Sequence, residues 1–216
     1  MTKTLIKSKK RVRDHAEVFT PPHIVEAMLD LVKVELERKD IGSRFLEPAC
    51  GDGNFLDKIL KRKLSVVKDM YGKKQDDYER FAFIAVSSIY GVDLLDDNVK
   101  RARERLFISL LDEYRSLYQA KIKEEFLQAI KFVLQKNIVQ GDATTLKDKK
   151  NKPIVFSEWG PMNNVKIKRR DFQFADILSK ESMKIGLFEK MENEELGLRP
   201  VKQFPPVHFL KITDYE

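Results

Sequence analysis

The spacing of apolar residues divides the chain into short apolar runs and longer stretches of helical period. Ile24, Val25, Met28, Leu31, Val32 and Leu36 recur at three and four, which predicts a helix whose stripe packs on a sheet. Thr20, ahead of Pro21 and Pro22, is expected to cap it, with proline tolerated in the first turn. Arg44 to Leu46 reads as a strand that Pro48 ends, because proline has no N–H to donate. From Asn54 to about Asp69, Phe55, Leu56, Ile59, Leu60 and Leu64 lie on one helical face. After a polar break at Tyr71–Asp77, Tyr78 to Ser87 predicts a helix and Ile89 to Asp93 a strand. Two more helices follow, from about Asp97 to Tyr118 and from about Ile122 to Leu134, then a third strand and turn at Ile138–Ala143. Strands alternating with helices predict an α/β fold with a parallel sheet.

Beyond Thr145 the rhythm changes. Pro153–Trp159, a turn at Gly160–Asn164, and the period-two run Val165–Arg170 predict a β-hairpin with one basic face. Phe172, Phe174, Ile177 and Leu178 suggest a short amphipathic helix. Gly186 to Glu216, with Pro200 and Pro205-Pro206, reads as an extended tail or docking segment.

The most informative stretch is Glu47-Pro48-Ala49-Cys50-Gly51-Asp52-Gly53-Asn54-Phe55. Strand, glycine turn and helix together set free N–H groups and a positive helix end at the carboxyl edge of a sheet, where α/β folds bind nucleotide-like ligands. A tight turn without a ligand would contain the same two glycines. Glu47 and Asp52 change the picture, since two carboxylates suit amines and hydroxyls and repel a bare pyrophosphate. Asp93, at the next strand end, suits two vicinal ribose hydroxyls, or else caps the following helix. Asp142 after Gly141 is equally a turn former.

In order and content these residues resemble the cofactor half of N6-adenine DNA methyltransferases of restriction–modification systems. The match runs through Phe19-Thr20-Pro21, Glu47–Phe55, Tyr90-Gly91-Val92-Asp93 and Gln140-Gly141-Asp142-Ala143. The resemblance implies a Rossmann-like, doubly wound methyltransferase sheet with flanking helices, followed here by the C-terminal hairpin and irregular tail. It also implies S-adenosylmethionine as cofactor. The cofactor would be held by Phe19, Thr20, Pro21, Glu47, Pro48, Ala49, Gly51, Gly53, Asn54, Phe55, Asp93, Leu94, Asp142 and Ala143. Within the family, the Phe-Thr-Pro turn touches the methionine part and the Asp matching Asp142 bonds the adenine amino group. The Phe-Thr-Pro element also reads as a hydrophobic staple with a proline stop.

The catalytic Asn-Pro-Pro-aromatic tetrapeptide of that family is absent, and Pro161, Asn163 and Asn164 share only its residue types. No catalytic residue is therefore assigned. Three readings compete: an adenine methyltransferase acting alone or with a partner subunit, a catalytically incomplete cofactor-binding regulator, and a methyltransferase for another substrate. The domain expectation is a flexible basic arm over 1–16, a methyltransferase-like domain over 17–180 and a tail over 181–216.

Composition narrows the context. With 42% hydrophobic and 35% charged residues in 216, the chain is of ordinary globular type. No apolar run approaches a membrane span or a secretory leader, and a single cysteine, Cys50, forms no internal disulfide. Cytoplasmic location is the expectation, with no metal site, because His15, His23 and His208 are dispersed. The net charge of +7 gathers at residues 3–13, 147–152 and 166–170, which makes DNA the expected partner and solvated surface its rival.

Overall fold

β1 (Phe45–Glu47), β2 (Ile89–Asp93) and β3 (Ile138–Gln140) form a parallel sheet in the order β1-β2-β3. This computed structural model describes residues 8–15, 20–37, 41–162, 165–179 and 199–215. The register pairs Glu47 with Gly91 and Asp93 with Gln140, so the acidic strand ends stand at one edge. Parallel strands need long crossovers, and here each crossover is a pair of helices. α4 (Asn54–Tyr71) and α5 (Gln75–Ser87) join β1 to β2, while α6 (Asp96–Tyr118) and α7 (Glu124–Asn137) join β2 to β3. Ahead of the sheet come α1 (Lys9–His15), α2 (Pro22–Leu31) and α3 (Lys33–Leu36).

The helical stripes expected on α4, α6 and α7 form the core: Leu56, Ile59, Leu60 and Leu64 meet Val99, Ala102, Leu106 and Leu110, with Phe126 and Ile130 alongside. Two glycines are required by this packing. A Cβ on Gly91 would lie 2.8 Å from Leu56 Cδ1, and one on Gly53 would lie 2.8 Å from Ala102 Cα at a backbone φ of +80°. Lys63 is buried with its charge compensated, donating to Ile41 O at 2.8 Å, Ser43 O at 2.6 Å and Ser88 Oγ at 2.7 Å.

The expected hairpin is present. β4 (Val155–Pro161) and β5 (Lys166–Gln173) are antiparallel, and β6 (Lys202–Gln203) and β7 (Val207–His208) each pair with β5. The described part of the expected tail thus enters the fold, and its last turn, Phe209–Asp214, buries Phe209 and Ile212. Trp159 of β4 donates to Asn137 Oδ1 at 3.0 Å, and Asn137 in turn donates to Ser87 O and Ile89 O. Ile154, Phe156 and Phe174 cover Tyr90 and Val92 on the other face of β2.

Several expectations change. Thr20 does not cap α2; Pro21 is its N-cap, with no side-chain hydrogen bond. On α2 only Val25 and Leu29 are buried, and the helix packs chiefly on α4 and α3. Phe172 lies in β5, and the helical turn that follows covers residues 174–179. Within the expected basic arm, Lys9–His15 is helical. On β5 the alternation turns Arg169 inward, where it bonds Asp171 and Ser157, leaving Lys166 and Lys168 on the other face with Arg170. Arg170 and Arg44 both pair with the buried Glu158. No helix among the described residues is long and apolar enough to cross a membrane, and none of these residues cluster as a metal site.

Candidate functional site

The turn between β1 and α4 is built from the neighbouring strand. Cys50 N–H donates to Val92 O at 2.9 Å, Gly51 N–H to Asp93 Oδ2 at 2.9 Å, and Gly53 N–H to Cys50 O at 2.9 Å. Gly51 and Gly53 both have positive φ, which lets the chain reverse within this short turn. α4 then starts with no side-chain cap. Its first N–H groups have no partner within the helix and point, with the positive end of its dipole, out of the first turn.

In front of this turn lies a cavity of about 470 Å³, a size common for small-molecule sites. Its walls include Glu47, Pro48, Ala49 and Gly51 from the end of β1 and its turn, and Asn54 and Phe55 from α4. Asp93 and Leu94 come from the end of β2, Asp142 and Ala143 from beyond β3, and Thr20 from before α2. Pro21 and Gly53 do not line it; Gly53 serves the α4–α6 contact. Phe19 lies outside the described residues.

The acids differ in what they have left to give. Asp93 accepts from Gly51 N–H at 2.9 Å, Leu95 N–H at 2.9 Å and Asn98 Nδ2 at 3.1 Å. Of its roughly four lone-pair sites, about one remains. Its first duty is therefore to hold the turn. Asp52 also borders the cavity, but its carboxylate is tied to Arg105 of α6. Asp142 uses one oxygen to accept from Thr144 N–H at 2.8 Å and its hydroxyl at 2.6 Å, with Thr145 N–H at 3.4 Å. The Thr144 bonds hold its carboxyl below the ordinary range. Glu47 is the least committed, with one oxygen accepting from Ala49 N–H at 3.3 Å. Cys50 is buried, and desolvation, aided by Asp93 and Glu47, pushes its thiol far up, away from nucleophilic use.

Sequence reasoning missed several parts of the wall. Met28, Asn98 and Thr144 line the cavity. Asn98 joins Asp93 to the N-terminal helix, since Arg11 donates to its Oδ1 at 3.2 Å and to Asp97 at 2.8 Å. Asn98, Arg11 and Arg105 gave no local signal of this role, because their partners are set by the fold. Pro161, by contrast, lines a separate cavity of about 200 Å³ with Ile41, Arg44 and Ser88, at the amino-terminal end of the parallel strands. It is thus removed from the acid-lined cavity, and Asn163 and Asn164 lie outside the described residues.

Fold and site define an α/β protein with a cavity at the carboxyl ends of parallel strands, framed by acids and by a helix N-terminus, the place where α/β folds commonly bind ligands. Over 104 residues the chain is 32% identical to a protein of Methanocaldococcus jannaschii carrying the provisional name of a type II restriction enzyme and methyltransferase. That similarity takes in 47% of this chain and 8% of the relative, so the chain corresponds to a small part of it. No protein-family profile and no solved structure matches the chain. A relationship to restriction–modification methyltransferases is what this similarity supports.

Proposed function

We propose that the chain is an S-adenosylmethionine-binding component of a restriction–modification methyltransferase of the N6-adenine DNA type, with a Rossmann-like methyltransferase sheet. The observation that carries the reading is the cavity in which the β1 turn, the start of α4 and the acidic ends of β1 and β2 meet. Glu47 retains an oxygen for a ribose hydroxyl and Asp93 about one lone pair. The unpaired amides of α4 suit the carboxylate of a methionine moiety. Asp142 and Ala143 close the side at which an adenine ring would lie. These residues fit such a cofactor, whose sulfonium supplies an electrophilic methyl group.

The chain's own residues bind and orient the donor, and none of those lining the cavity is assigned to the acceptor amine. Adenine N6 is a poor nucleophile, and a flipped base needs hydrogen-bond acceptors on its amino group and a stacking surface. Because the tetrapeptide is absent from these 216 residues and Pro161 stands at the opposite end of the strands, those contacts would come from polypeptide outside this sequence, whether of the same protein or of a partner subunit. A second reading rests on the same gap: a cofactor-binding regulator that contacts DNA or protein without transfer. The discriminating experiment is transfer of labelled methyl to DNA by the purified chain, alone and with proteins from its locus. Transfer in either arm supports the enzyme reading. Cofactor binding without transfer in both arms leaves the regulator.

A further inference from the structure

We propose that Arg105 of α6 is a positioning residue that sets which ligands the acid-framed cavity accepts. By neutralising Asp52 from behind the turn between β1 and α4, it admits a carboxylate, such as a free amino-acid end carries, to the amides that open α4. This rests on the methyl-donor reading for the nucleoside that carries the amino acid.

The charge around the cavity is one-sided. Glu47, Asp52, Asp93 and Asp142 line it, and no lysine, arginine or histidine among the described residues does. Such a wall attracts cations and hydroxyl donors and repels anions. The start of α4 has the opposite preference, because the free amides and dipole of a helix N-terminus favour negative groups. Asp52 stands between the two, lying between Gly51 and Gly53 just ahead of Asn54, the first residue of α4. An uncompensated carboxylate there would offset the attraction of the helix end for an anionic ligand.

Of these four acids, Asp52 alone has a cation partner among the described residues. The hold is double: Arg105 Nε donates to Asp52 O at 2.9 Å, and Arg105 Nη2 donates to Asp52 Oδ2. Main chain and carboxylate are thereby fixed together. The guanidinium does not itself line the cavity, so its effect on a ligand passes through Asp52. Arg105 is 27% and Asp52 19% exposed, and salt screens a partly buried pair less than a surface one.

Two duties can be told apart. Holding the main chain of Asp52 supports every ligand that touches the turn, whatever its charge. Neutralising the carboxylate matters only for a ligand that brings a negative group to the start of α4. The turn is already held at both glycines without Arg105, since Gly51 N–H donates to Asp93 and Gly53 packs closely on Ala102 of α6. What Arg105 adds is the charge.

The test compares two probes that differ by one group, S-adenosylmethionine and its decarboxylated form, titrated calorimetrically into the full chain and its variants at one ionic strength. Both probes keep the nucleoside, sulfonium and amine, so the ratio of their affinities isolates the carboxylate. A partly unfolded sample cancels from that ratio. Arg105→Gln is expected to shift the ratio at least about tenfold against S-adenosylmethionine. Adding Asp52→Asn to it should bring the ratio back to within about threefold of the parent, because the unpaired charge is then gone. Asp52→Asn alone leaves the guanidinium without its anion, should move the ratio the other way by at least about threefold, and carries the test if Arg105→Gln does not fold. An equal loss for both probes, a ratio unmoved by either single substitution, or no recovery in the double variant would overturn the proposal and leave Arg105 a clamp on the main chain. A parent chain that binds neither probe removes the methyl-donor reading and the proposal with it. A parent that binds both, with a ratio indifferent to the substitutions, removes the proposal and keeps that reading.

Discussion

Replacing Asp93 by Asn separates the structural duty of this acid from ligand binding. The carboxylate accepts from Gly51 N–H and Leu95 N–H at 2.9 Å and from Asn98 Nδ2 at 3.1 Å. An amide keeps one oxygen. If that oxygen stays with Leu95 and Asn98, the new NH₂ faces the Gly51 N–H, donor against donor. One charge-assisted bond is lost, at about 1.5–3 kcal/mol, and the other two weaken to ordinary strength. Discounted for the partial exposure of the site, the loss is about 2–3 kcal/mol of folding stability. For a chain of this size that lowers the melting temperature by roughly 5–10 °C. Urea unfolding followed by circular dichroism measures it directly. A variant within about 0.5 kcal/mol of the parent would refute the assignment of Asp93 as organiser of the turn.

Three other outcomes are expected. Gly53→Ala places a Cβ 2.8 Å from the Ala102 backbone at a φ of +80°, and urea unfolding should show a loss of about 2–4 kcal/mol; a loss under 1 kcal/mol would mean that α4 and α6 separate freely. His208 accepts from Leu210 N–H at 3.2 Å, and burial, aided by Lys211 and Lys123, lowers its pKa below the usual 6.5. A lowered folded value means its stabilisation is present above about pH 6.5 and lost as pH falls through that lower value. Unfolding free energy measured from neutral to mildly acid pH should decline more in the parent than in His208→Asn, and equal declines would remove His208 from the account. Replacing Lys166 and Lys168 by Gln should reduce the salt slope of DNA binding by about one to two, and an unchanged slope would place the DNA elsewhere.

Local features were legible in the sequence, and features set by remote partners were not. The β1 strand, its glycine turn and the start of α4 followed from Pro48, Gly51, Gly53 and the apolar spacing after Asn54, all within one short stretch. Asp93 at a strand end was visible for the same reason. Its consumption by Gly51, Leu95 and Asn98 was not, because only the parallel pairing of β1 with β2 brings Gly51 to it. Asp52 looked free until α6 returned Arg105 across it. The basic run on β5 hid a buried Arg169, since period two alone gives two faces without saying that Asp171 and Ser157 share the inner one. The stripe of α2 was legible as apolar, whereas the exposure of Ile24, Met28 and Leu31 was not.

Isothermal titration of the purified full chain with S-adenosylmethionine, beside Glu47→Gln, tests the central claim most directly. The expected result is one site per chain, weakened about tenfold or more by Glu47→Gln with folding stability unchanged, as a lost hydrogen bond to a charged acceptor requires. A well-folded chain that takes up no S-adenosylmethionine, or a Glu47→Gln variant with unaltered affinity, would contradict it.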